Sequence, residues 1–167
     1  MEYPRNEIEK AKSRDSWDCS STIIDLVQCL AKKKDYILDF GSGCPAGNKK
    51  ALLNDGYVNV FGHDFHYTDN PPYGNFSIVY MKNVLNNLPS ELFIYLTLLE
   101  AAGYLNPNGR LIVDYPKKNR MLKVSNMRMR AFLEFTFNQV FTLTSDEKNQ
   151  WPVWIARVDV NHNEEEA

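Results

Sequence analysis

Hydrophobic positions along this chain follow two rhythms that alternate with each other. After Ser20 and Ser21, either a plausible N-cap, Ile23, Leu26, Val27 and Leu30 recur at three- and four-residue steps. That is one face of a helix, and Lys32, Lys33 and Lys34 follow it with charges suited to the negative end of a helix dipole. The apolar run Tyr36-Ile37-Leu38-Asp39-Phe40 enters glycines directly and predicts a strand. Residues 49–54 predict a helix stopped by Asp55-Gly56. Residues 58–64 and 76–81 predict two more strands, separated by a turn-rich stretch over 67–75. A long apolar helix over 92–104 is introduced by Pro89-Ser90-Glu91, and Asn106-Pro107-Asn108-Gly109 turns the chain into a strand over 110–115.

Strand and helix in alternation predict an α/β fold with a doubly wound, mostly parallel sheet. The C-terminal part changes character. A helical stretch over 127–138 precedes two apolar runs, 139–144 and 153–158, which predict an antiparallel hairpin joined by a polar loop. Residues 1–19 read as an N-terminal arm or helix, 20–160 as the domain, and 161–167, with Glu164-Glu165-Glu166, as an acidic tail.

Composition narrows the class. A chain of 167 residues fits one compact domain, and 44% hydrophobic with 24% charged residues is the balance of a folded protein. A net charge of -2 gives no global attraction to nucleic acid or to acidic membranes. Residues 1–12 hold no signal-type apolar run, and nowhere does the chain approach the ~20 apolar residues of a membrane span, so a cytoplasmic protein is expected. Cys19, Cys29 and Cys44 are odd in number and widely spaced, which predicts reduced thiols and no metal site.

The chemistry centres on the glycine loop. Gly41 and Gly43, directly after a strand, allow the backbone a sharp turn and a close approach to a ligand, with N–H groups offered to it. An acid at the end of the next strand can accept both hydroxyls of a ribose; Asp64 lies 23 residues after Gly41 (64 − 41), near the usual ~20. Read literally, Gly41-Ser42-Gly43-Cys44-Pro45-Ala46 also fits a dinucleotide fingerprint. Asp39 argues against that reading, since a carboxylate at the strand tip repels a pyrophosphate and suits a cationic group. The chain also lacks room for the substrate domain most dehydrogenases carry.

The ordered set Ile37-Leu38-Asp39-Phe40-Gly41-Ser42-Gly43, Gly62-His63-Asp64, residues 76–85 and residues 105–113 resembles the class I S-adenosylmethionine-dependent methyltransferases. The resemblance spans roughly residues 37–115 and implies a Rossmann-like sheet with S-adenosylmethionine as cofactor. It implies that Asp39, Gly41, Ser42 and Gly43 line the methionine end of the cofactor. Asp64, followed by Phe65, holds the ribose, and Met81, Lys82 and Asn83 stand at the strand tip facing the methyl group. Two departures stand out: Pro45 occupies the place of the family's third glycine, and the family's third strand, with its adenine-contacting acid, is missing. Asn70-Pro71-Pro72 between strands and Asn83-Val84-Leu85-Asn86 after the next one are similar to methyltransferase-like proteins associated with DNA phosphorothioation systems. The altered loop keeps open a non-catalytic S-adenosylmethionine-binding module, a sensor or partner subunit.

Other patterns carry less. Asp69-Asn70-Pro71-Pro72-Tyr73 has the letters of an amino-methyltransferase motif, but polar His66, Tyr67 and Thr68 precede it where that motif follows an apolar strand, so it reads as a turn. His63 and His66 are read as loop histidines. The cluster Arg110, Lys117, Lys118, Arg120, Lys123, Arg128 and Arg130 reads as a solvated face before it reads as a track for phosphates. Methyl transfer to a good nucleophile needs placement more than a general base, so no catalytic residue is assigned. The acceptor stays open between a small molecule, a nucleic acid and a protein.

Overall fold

Apolar side chains alternate across each central strand, and helices cover both faces. The computed structural model describes residues 21–43, 46–65, 72–115, 122–144 and 152–157. Along the chain these form α1 (Ser21–Leu30), β1 (Tyr36–Phe40), α2 (Gly47–Asn54), β2 (Asn59–His63), β3 (Phe76–Met81), α3 (Glu91–Gly103), β4 (Leu105–Asp114), α4 (Asn126–Thr136), β5 (Gln139–Thr144) and β6 (Pro152–Arg157). A 3-10 turn, Leu85–Asn87, follows β3. The expected arm over 1–19 and acidic tail over 161–167 lie outside the described residues.

One six-stranded sheet runs in the order β2-β1-β3-β4-β6-β5. The pairs β1–β2, β1–β3 and β3–β4 are parallel, and β6 runs antiparallel to both β4 and β5. This is the expected α/β, Rossmann-like, mostly parallel sheet with an antiparallel C-terminal hairpin. Among the described residues no strand lies beyond β2, in keeping with the missing third strand. No helix among them is long and apolar enough to cross a membrane.

The two-residue period of the strands divides the core. Leu38, Phe40, Val79, Met81, Leu111 and Val113 pack with Ile94, Leu98 and Ala101 of α3 and Met129 and Leu133 of α4. Ile37, Ile78, Tyr80 and Ile112 turn the other way, onto Ile23, Ile24 and Val27 of α1 and Leu52 of α2. Strands buried on both faces explain why β1, β3 and the Leu111–Val113 part of β4 read as nearly continuous apolar runs.

Caps fix the helices of the first face. The Ser90 hydroxyl accepts from the Phe93 N–H at 3.4 Å, and the Ser125 hydroxyl accepts from the Arg128 N–H at 3.1 Å. An Arg128–Glu91 ion pair at 3.0 Å ties the starts of α3 and α4 together.

Most boundaries lie within one or two residues of the expected ones, and the largest difference is at the start of β4. Asn106-Pro107-Asn108-Gly109 does not merely precede β4; it lies inside the strand as an irregularity, where the β3–β4 register shifts between Phe76 and Ile78. Asn108 takes the left-handed backbone (φ 65) that an asparagine tolerates. A Cβ at Gly109 would lie 2.9 Å from the carbonyl oxygens of both Asn106 and Phe76, so a glycine lets the two strands approach. Turn residues were legible there, but the neighbouring strand that absorbs them was not.

Candidate functional site

Parallel strands β1, β2, β3 and β4 all end at one edge of the sheet, and β2 and β3 leave β1 on opposite sides. Such a point of reversal, at the carboxyl ends of the strands, is where open α/β sheets form their ligand crevices.

The glycine loop leaves β1 there and is held by β2. The N–H groups of Gly41 and Ser42 both donate to the His63 carbonyl, at 2.7 and 3.1 Å, and the Gly43 N–H donates to the Asp64 carboxylate at 2.9 Å. Gly41 (φ 80) and Gly43 (φ 62) adopt backbone that other residues resist. A Cβ on Gly41 would also collide with Val84 Cγ2. Gly62 serves the same fit from β2, because a Cβ there would lie 3.0 Å from the Ser42 hydroxyl.

Asp39 sits under this loop, 2% exposed. Burial pushes its carboxyl up from 3.8 to about 7; the Tyr80 hydroxyl and the Lys49 backbone N–H oppose that rise, nearby Asp64 adds to it, and Lys82 opposes it. Its Oδ2 is buried with no hydrogen-bond partner. An orphaned carboxyl oxygen beside a glycine loop is an environment that a cationic or N–H-bearing group would complete. His63, buried at the end of β2, has its imidazole pushed down by burial, against the pull of Asp64.

The loop after β3 closes the other side. Asn83 is left-handed (φ 56), its N–H donates to Asp114 Oδ1 at 2.7 Å, its carbonyl accepts from Asn87 Nδ2 at 2.5 Å, and its own Oδ1 is buried without a partner. Asp114, 3% exposed at the end of β4, is likewise raised by burial to about 7, against the Asn83 N–H and Lys82.

The residues singled out in the sequence are therefore gathered: Asp39, Gly41, Ser42, Gly43, Asp64, Lys82 and Asn83 converge on one edge. Met81, at the end of β3, turns its side chain opposite to Tyr80 and into the α3–α4 core, where it is wholly buried. Phe65 is half-buried and packs edge-on against Phe40 and His63, each at 5.1 Å, as a support for the end of β2. Tyr73 is 95% exposed and stands apart from this group. His66, Asp69 and Asn70 lie outside the described residues, as do Lys117, Lys118 and Arg120 of the basic stretch. In that stretch Arg128 and Arg130 are paired with Glu91 and Glu134, as a solvated face predicts.

Sequence reasoning missed Asp114 and Val84. Asp114 carries the same signal as Asp39, an acid closing an apolar strand.

No family model matches the sequence, and no curated protein matches it. Solved structures do match. Magnesium protoporphyrin IX methyltransferase from Synechocystis PCC 6803, with S-adenosylmethionine bound, superimposes with TM-score 0.61 at 16% identity, over 83% of this chain and 77% of that one. The fold is the Rossmann-like methyltransferase fold. A TehB-like S-adenosylmethionine-dependent methyltransferase from Corynebacterium glutamicum shares this fold over 93% of this chain and 94% of its own, with TM-score 0.57 at 14% identity. An O-methyltransferase family protein from Burkholderia thailandensis gives TM-score 0.60 at 12% identity, over 86% of this chain and 57% of that larger one.

Proposed function

We propose that this chain binds S-adenosylmethionine at the carboxyl edge of β1–β4 and transfers its methyl group to an acceptor. The observation that carries the reading is the buried Asp39 carboxyl, with Oδ2 unpartnered, beneath a glycine loop that Asp64 holds from β2. A dinucleotide would bring a pyrophosphate toward that carboxyl, whereas the amino group of S-adenosylmethionine brings a cation. Asp39 receives that amino group, Asp64 the ribose hydroxyls, and Asn83 stands on the methyl side. When bound, the sulfonium supplies an already activated methyl group, so the protein's part is to align donor and acceptor and to exclude water. The short layout between β2 and β3 further supports grouping the chain with the methyltransferase-like proteins of DNA phosphorothioation systems.

Calorimetry with S-adenosylmethionine, S-adenosylhomocysteine, NAD and NADP tests the cofactor. Binding of the first two and not the last two is expected, and binding of a nicotinamide cofactor alone refutes the reading. Transfer of a labelled methyl group to fractionated cell extract tests the reaction. Tight binding with no labelled product in any fraction leaves the non-catalytic binding module as the correct description.

A further inference from the structure

We infer that Asp114 is a positioning residue for this site, holding the loop after β3 and, through Val84, the glycine loop. The inference rests on the cofactor reading above, but its geometry is independent of any ligand. Asp114 ends β4 one residue beyond the Val113–Met81 register pair, beside the point where the chain leaves β3. There Asn83 takes the left-handed backbone (φ 56) that an asparagine tolerates, and its surroundings select it.

Two hydrogen bonds enforce it, one on each side of the residue. The Asn83 N–H donates to Asp114 Oδ1 at 2.7 Å, and the Asn83 carbonyl accepts from Asn87 Nδ2 at 2.5 Å. The first joins β4 to the β3 loop; the second closes the loop on itself across the Leu85–Asn87 turn.

The consequence is read at the next residue. Val84 Cγ2 fills the space a side chain at Gly41 would need, so the first glycine of the loop rests on the residue that Asn83 places. From Gly41 the support continues to β2 through His63 and Asp64. Asp114 thus acts on the cofactor site without belonging to its expected contacts, and it leaves the buried Asn83 Oδ1 as the polar atom presented at the strand tip.

Asp114→Asn keeps an oxygen at Oδ1 and removes the charge, whereas Asp114→Ala removes the acceptor. In the protein without ligand, amide hydrogen exchange of Asn83 measured by NMR is expected to be unchanged in D114N and about tenfold faster in D114A, the loss of one hydrogen bond to the Asp114 carboxyl. S-adenosylmethionine affinity by calorimetry is expected to stay within about threefold in D114N and to fall roughly tenfold in D114A, while circular dichroism reports a folded chain. Rescue by the amide separates positioning from a charge effect. If D114N loses as much affinity as D114A, or if D114A keeps both its exchange rate and its affinity, the inference is overturned.

Should D114A fail to fold, Val84→Ala tests the second leg: affinity should fall while Asn83 exchange stays as in the wild type. Unchanged affinity in V84A overturns that leg. A wild-type protein that binds no S-adenosylmethionine refutes the functional reading instead, and the Asn83 exchange comparison still decides whether Asp114 fixes the loop.

Discussion

Replacing Asp39 by asparagine should make the protein more stable and a worse binder. The carboxyl is raised by burial from 3.8 to about 7. Because the folded-state value lies above the unfolded one, the folded chain holds a proton that the unfolded chain releases. Stability associated with this group is complete below about pH 4 and is lost as pH rises to about 7. A rise of ~3 pKa units corresponds to ~4 kcal/mol at pH 8, where the buried group must ionise; at pH 5, where the folded chain keeps the proton, the cost is ~2 kcal/mol. An amide retains an acceptor for the Lys49 N–H and never ionises. D39N should therefore exceed the wild type by several kcal/mol at pH 8, roughly 10 °C in melting temperature for a chain of this size, and by about half that at pH 5. Cofactor affinity should fall about tenfold or more, as expected when a charged hydrogen-bond acceptor is made neutral. Thermal melts across pH 4.5–8 with calorimetry at pH 8 measure both. Stability curves of wild type and variant that run parallel across this range would show that Asp39 titrates alike in the folded and the unfolded chain, and would remove the physical basis of the cation-binding assignment.

Asp64→Ala should lower S-adenosylmethionine affinity about tenfold or more by calorimetry, since it loses the ribose acceptor and frees the Gly43 N–H now held at 2.9 Å; unchanged affinity would refute the ribose assignment. Gly109→Ala should destabilise by about 1–3 kcal/mol in urea unfolding, because its Cβ would press on two backbone oxygens at 2.9 Å that cannot yield without moving β3 or β4. Arg128→Ala should cost less than ~1 kcal/mol, its ion pair with Glu91 being solvent-exposed, and a larger loss would mean that the α3–α4 junction depends on that pair.

Much of this protein was written in the order of its residues. Period-two and period-3.6 hydrophobic patterns place strands and helices because burial acts locally on every turn and pleat; β3 and β5 appear at the bounds their sequences predict. The glycine loop was equally plain, since two glycines directly after an apolar strand mark backbone that most other residues resist. Only the tertiary structure decided how those pieces meet. Strand order brings Asp39, Asp64, Asn83 and Asp114 from four separate segments to one edge, and no local pattern encodes that neighbourhood. Burial turned two of these acids from ordinary carboxylates into groups protonated near neutrality. Alternation sent Met81 and Tyr80 into the cores on opposite faces of the sheet. Asp114 shows the division most clearly: its type and its place at a strand end are in the sequence, but its role depends on a left-handed Asn83 31 positions earlier that only folding brings within 2.7 Å.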